Sequence, residues 1–139
     1  MRAASLILLV LSLSGCAHLQ QNDLLELQSR ADQAYSAADY ANASSLYGQL
    51  AKAMPTDAEV RYQQGNSLAR LGDHSQAIIS YRDALQRDPL HARAWHNLLQ
   101  VQIQESRITA TEIQRYLNTQ TPHAERALKR AENVLEAFP

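Results

Sequence analysis

The chain is short of the residues that break or staple a fold: one Cys, four Gly and four Pro, and its aromatics are limited to one Trp, one Phe and six Tyr. A lone cysteine excludes a disulfide framework. Basic charge is not in excess either, with 13 Lys+Arg against 14 Asp+Glu, so there is no electrostatic footprint for phosphate and no nucleic-acid partner is expected. A 45% hydrophobic fraction is too high for a disordered chain, and 139 residues suit one globular domain. Alanine, leucine and glutamine dominate while β-branched residues are sparse, a composition that predicts an all-α protein.

No apolar run is long enough to span a bilayer. Met1-Arg2 gives a positive start and Ala3 to Leu13 is compactly apolar, yet as a helix that run is about 16 Å long against a hydrocarbon core of about 30 Å. Residues 1–15 are therefore expected to be a cleaved signal peptide. The junction Leu13-Ser14-Gly15-Cys16 resembles the bacterial lipoprotein signal at all four positions. That resemblance implies a covalent lipid (palmitate) on Cys16, and Ala17 in place of Asp implies sorting to the outer membrane, on its periplasmic face. A single acyl chain anchors only marginally, so multiple chains are what would hold the protein there. Residues 16–22 read as the lipidated cysteine and a short linker, and 23–139 as the folded domain.

The folded part repeats with a period of thirty-four. Ala31 falls on Gly65, Asp39 on Asp73, Ala43 on Ala77, Tyr47 on Tyr81 and Pro55 on Pro89. Each unit reads as two helices joined by a short turn, Ala38-Asp39 or Gly72-Asp73, and closes at a proline that cannot continue the second helix. Asp23-Leu24-Leu25-Glu26 and Thr56-Asp57-Ala58-Glu59 each have the spacing of a capping box, with Asp23 and Thr56 as caps.

These positions resemble the tetratricopeptide repeat, or TPR. Residues 24–57 match with Ala31, Ala43, Tyr47 and Pro55, and residues 58–91 with Gly65, Ala77, Tyr81, Ala84 and Pro89. The resemblance implies a helix-turn-helix solenoid in which small residues permit close helix crossings and Tyr47 and Tyr81 fill the space between units. Arg61 and Gln64 stand where the family usually has Trp and Leu, so Val60, Leu68 and Leu71 are expected to carry that core.

A third unit, 92–139, begins with Trp95 and Leu98 at the family's aromatic and leucine positions, with Trp95 expected in the core. Its first helix is expected to end near Ser106, because Pro139 reaches the closing position only if residues 107–122 are an insert. Thr109-Ala110-Thr111-Glu112 predicts a separate short helix inside that insert. Ala124, Ala127, Leu128, Ala131, Leu135 and Phe138 form the apolar side of a capping helix, opposite Glu125, Lys129, Arg130, Glu132 and Glu136.

Reactive constellations are missing: there is no phosphate-cradling loop and no cysteine beyond Cys16, and His91 and His96 are five apart, off a common helix face. His74, His91, His96 and His123 read as surface or cap residues. No enzyme activity, metal, cofactor or small-molecule substrate is expected. The resemblance implies an inner groove lined by first helices, which here carry Leu25, Gln28, Asp32 and Tyr35, then Glu59, Tyr62, Gln63, Asn66 and Arg70, then Arg93, His96, Asn97, Gln100 and Gln104. A carboxylate-clamp groove would need Lys, Asn, Asn, Lys and Arg where this chain has Gln28, Asp32, Gln63, Arg93 and Asn97, so that device is rejected. Tyr62, Asn66, Arg70, His96, Asn97 and Gln100 are the expected partner-binding surface, suited by their amides and phenols to a peptide segment of another envelope protein. Two roles fit: a scaffold assisting assembly of a pilus or secretin, as small TPR lipoproteins of the pilotin type do, or an adaptor recruiting cell-wall enzymes.

Overall fold

The computed structural model describes residues 21–117 and 121–138. The expected signal peptide, Cys16 and most of the expected linker lie outside the described residues, as do 118–120 of the insert and Pro139. Helix follows helix in antiparallel succession: α1 (described from residue 21 to 36), α2 (Tyr40–Ala53), α3 (Ala58–Arg70), α4 (His74–Arg87), α5 (Ala92–Tyr116) and α6 (Pro122–Ala137). Among the described residues there is no strand, and no helix is long and apolar enough to cross a membrane.

The helix boundaries follow the repeat. Asp39 caps α2 by accepting from the Asn42 N–H, and Asp73 does the same for α4 from Gln76. The turn before each aspartate needs one residue at positive φ, supplied by Gly72 at 78° but by Ala38 at 59°, so the first unit carries a strain that the second avoids. Two sequence expectations about caps are corrected. Residues 21 and 22 are already helical, which places Asp23 inside α1 and shortens the linker. Asp57, not Thr56, caps α3, its carboxylate accepting from the Val60 N–H at 3.0 Å. In the third unit the position of Asp57 is taken by His91, whose Nδ1 accepts from the Ala94 N–H at 3.1 Å.

The core lies in two clusters, each closed by the first helix of the following unit. Ala31, Ala43, Leu46, Tyr47, Leu50, Ala51 and Val60 form one cluster, and Tyr62, Ala77, Tyr81, Ala84, Leu85, Ala94, Leu98 and Val101 the next. The predicted small positions Ala31, Ala43, Ala77 and Ala84 are fully buried, and Pro55 and Pro89 stand exposed in the closing turns. Gly65 lies directly against the Tyr81 ring: a Cβ there would meet two ring carbons at 2.7 Å. Arg61 bridges α2 and α4 in place of an aromatic, donating to the Ala51 carbonyl and approaching Asp83 at 4.0 Å. Val60 is buried and Leu68 partly so, but Leu71 sits exposed at the α3–α4 turn and adds little to the core.

The third unit departs furthest from expectation. α5 is a single helix of 25 residues, and the predicted separate helix at 109–112 does not exist. No glycine or proline interrupts this stretch, and the hydroxyls that suggested a cap bond backward into the same helix: Thr111 Oγ1 donates to the Arg107 carbonyl and Ser106 Oγ to that of Gln102. α6 is capped by Thr121, with Pro122 in its first turn, and packs its Ala131 and Val134 beside Ala110 and Ile113 of α5. Trp95 is not core. It is 54% exposed, its indole N–H donating to the Pro89 carbonyl, while Ala94, Leu98 and Val101 make the buried stripe of α5.

Candidate functional site

First helices lie side by side on one face of the stack, and between α1, α3 and α5 they leave a cleft of about 410 Å³. Its walls come from Tyr35 of α1, from Tyr62, Asn66 and Arg70 of α3, and from Asn97 and Gln100 of α5. Positions three or four apart on one helix share a face, which is why Tyr62, Asn66 and Arg70 arrive together. Five of the six residues singled out from sequence line this cleft. His96 does not; it is exposed on α5 and outside the lining.

Those five do not play one role. Tyr81 reaches the cleft floor from α4 and donates its hydroxyl to Asn66 Oδ1 at 2.9 Å. Asn97 Nδ2 donates to the same oxygen at 2.8 Å and to the Tyr62 hydroxyl at 3.3 Å. Tyr62 is itself buried, its ring 4.8 Å from that of His91 and beneath the Arg93 guanidinium at 4.9 Å. Tyr62, Asn66 and Asn97 are thus joined in an internal network that holds α3, α4 and α5 in register. Arg70 and Gln100 are exposed and turned to solvent at the rim. Arg70 is the only charged side chain among the lining, and the Tyr35 phenol beside it holds its pKa above the ordinary arginine value.

One end of the cleft wall is pinned by an ionic cluster that sequence spacing did not reveal. Glu59 Oε2 accepts from Arg93 at 2.7 Å and from His91 Nε2 at 3.1 Å. Because His91 Nδ1 is already the acceptor at the helix cap, its proton must sit on Nε2 and point at Glu59. Glu59 was expected to close a capping box; it clamps the first turn of α5 onto α3. His74 likewise has a partner the sequence did not suggest, Glu105 Oε1 at 2.7 Å.

A subtler regularity was present in the sequence. Asp32 and Tyr47 are fifteen apart, as are Asn66 and Tyr81, and in both units the second-helix phenol donates to the first-helix side chain. Tyr81 therefore belongs to the core and to the cleft at once. Burial, opposed by Asn97, pushes its phenol up to about 12; Tyr47 shifts the same way, from burial first and then its bond to the Asp32 carboxylate. Among the described residues no cluster of His, Cys, Asp or Glu could hold a metal.

A sequence profile of the tetratricopeptide repeat matches residues 58–101. No curated sequence matches the chain. Among solved structures, it is similar to the TPR2B domain of yeast Sti1, at 20% identity and a TM-score of 0.58, over 79% of this chain and 96% of that one. The Sgt2 TPR domain of Aspergillus fumigatus gives 20% identity and 0.56 over 84% and 85%, and the Arabidopsis OM64 TPR domain 16% and 0.58 over 82% and 98%. The helix pairing, the period of thirty-four and these likenesses agree: the chain has the all-α fold of a TPR helix-turn-helix solenoid.

Proposed function

We propose that the protein is an interaction scaffold that holds a peptide segment of a partner protein in the cleft between its first helices. The observation that carries this reading is the cleft itself: side chains of three successive first helices converge on it with amides, phenols and one cation, and no nucleophile–base pair faces it. Half of its polar groups are already locked to one another, so little side-chain freedom is lost when a ligand enters. The Sti1 domain to which the fold is similar is described in complex with pHsp70, which supports peptide capture as the use of such a surface.

The finer reading adds a place. The sequence Leu13-Ser14-Gly15-Cys16 supports lipidation at Cys16 and an outer-membrane, periplasmic location, and a scaffold there serves assembly of an envelope machine, a pilus or secretin. The second role, recruiting cell-wall enzymes, uses the same cleft. Cys16→Ser should release the protein from the membrane fraction or leave it unprocessed. Normal processing and membrane retention of that variant would remove the lipoprotein reading.

The cleft is tested at its rim, because Tyr62, Asn66 and Asn97 also hold the fold. Arg70→Glu with Gln100→Ala should weaken partner capture from crosslinked envelopes by at least about tenfold, the loss expected of one charged contact and one hydrogen bond, with an unchanged melt. Undiminished capture by this double variant refutes the cleft as the binding surface.

A further inference from the structure

The repeat itself shows where a helix is missing among the described residues. In the second unit α4 covers one face of α3, seating on Arg61 and Gly65. The corresponding residues of α5 are Trp95 and Leu99, which are 54% and 56% exposed. The helix that should cover them is α6. It lies instead along the far half of α5, beside Glu105 to Ile113, because α5 has 25 residues where α3 has 13 and the longer helix carries the turn about 18 Å further at 1.5 Å per residue. What remains is an open groove of about 420 Å³ between α4 and the first half of α5, formed by Arg82, Leu85 and Gln86 and by Trp95, Leu98 and Gln102. It is on nearly the opposite side of α5 from Asn97 and Gln100, and so is distinct from the peptide cleft.

We infer that this vacant position is a docking groove for an amphipathic, acidic α-helix of a partner protein, which completes the third unit as α4 completes the second. Three observations specify the occupant. The same chain covers the equivalent surface of α3 with a helix, α4, so a helix is the element that this surface takes. Arg82 is exposed and pairs with no carboxylate among the described residues, and no acidic side chain lines the groove, so the occupant carries the negative charge. Leu99 replaces Gly65, at which even a Cβ would crowd the Tyr81 ring, so the occupant needs a small residue where α4 has tyrosine. Trp95, beside Leu98, is the aromatic anchor such a helix would cover.

Trp95 is the only tryptophan of the chain, so its fluorescence reads the groove directly. The probe is a stapled helical peptide patterned on α4, with alanine at the tyrosine position and glutamates flanking its apolar stripe; a second peptide carries lysines there instead. Added to the full chain, the acidic peptide should shift Trp95 emission to the blue saturably, and bind at least about tenfold tighter than the basic one. Leu99→Glu should abolish the shift, Arg82→Glu should reverse the charge preference, and Arg70→Glu at the cleft should change neither. All three sites are exposed, and unchanged far-UV circular dichroism confirms the fold. The inference is overturned by no saturable shift up to about 1 mM peptide, by equal binding of both peptides, or by Trp95 already shielded from acrylamide in the protein alone, which would mean that its own chain or a second copy fills the groove. Because Arg70→Glu reports on the cleft and Leu99→Glu on the groove, failure of one reading leaves the other intact.

Discussion

Two glycine-to-alanine substitutions, chemically identical, should move stability in opposite directions. Gly65 and Gly48 both lie inside helices, where alanine is intrinsically better by about 1 kcal/mol. At Gly65 the new methyl would stand 2.7 Å from two carbons of the Tyr81 ring. Carbon atoms pack at about 3.5–4.0 Å, so a gap of about 1 Å must open. Tyr81 cannot supply it, being 1% exposed with its hydroxyl fixed to Asn66. Overpacking costs about 1–3 kcal/mol, and against a ring that cannot yield the upper part of that range, about 2–3 kcal/mol, applies, which leaves Gly65→Ala destabilised by about 1–2 kcal/mol after the helix gain. At Gly48 the methyl would meet the Gln64 amide nitrogen at 3.1 Å, the far end of a flexible, half-buried side chain that can swing away. The propensity then dominates, and Gly48→Ala should be stabilised by about 0.5–1 kcal/mol. For a domain of this size each kcal/mol moves the melting temperature by roughly 4 °C, so thermal unfolding followed by circular dichroism should separate the two variants by about 6–12 °C. If Gly65→Ala melts at or above the parent, the close approach of α3 to Tyr81 is not a constraint and the packing account fails.

Two further outcomes follow from the backbone and the phenols. Ala38 sits at φ 59° where the second unit has Gly72, so Ala38→Gly should stabilise by up to about 1 kcal/mol and Gly72→Ala should destabilise by a similar amount; urea unfolding in which both changes move stability the same way would refute this. Tyr81, at about 12 in the fold against about 10 in an unfolded chain, keeps its proton longer when folded, so its stabilising contribution is whole below about pH 10 and is lost as pH rises toward 12. Tyr47 acts in the same direction. Alkaline absorbance should therefore show these two phenolates appearing late and together with loss of helicity, and titration of all six tyrosines near pH 10 with the helices intact would overturn it.

The stack was legible because its cause is local and repeated. A solenoid needs the same small residue, the same cap and the same stop in each unit, so Ala43 and Ala77, Asp39 and Asp73, Pro55 and Pro89 announce themselves by spacing. The third unit departs from the sequence expectation because its signals are not periodic. Thr109 to Glu112 has the composition of a helix start, but a cap forms only where the backbone already leaves the helix, and nothing in Arg107 to Tyr116 forces that exit. Trp95 is exposed for a related reason: its aromatic character says that something should cover it, and only the length of α5 says that α6 does not. The candidate cleft was read residue by residue, yet sequence could not divide those residues between structure and contact. That division depends on hydrogen bonds between units, such as Asn97 to Asn66, across thirty-one positions.

Within the cleft the broken repeat singles out Gln100. Asp32, Asn66 and Gln100 are equivalent positions in three successive first helices. Asp32 accepts from Tyr47, and Asn66 accepts from Tyr81 and from Asn97. The corresponding donor for Gln100 would lie fifteen residues on, at Arg115, but α5 continues through that position as one helix, so no turn brings it back. Arg115 instead lies over the Tyr116 ring. Gln100 is therefore left exposed without the partner its two counterparts have, and its amide can both donate to and accept from an extended backbone. The same uninterrupted α5 that uncovers Trp95 on one side thus leaves an unengaged amide on the other.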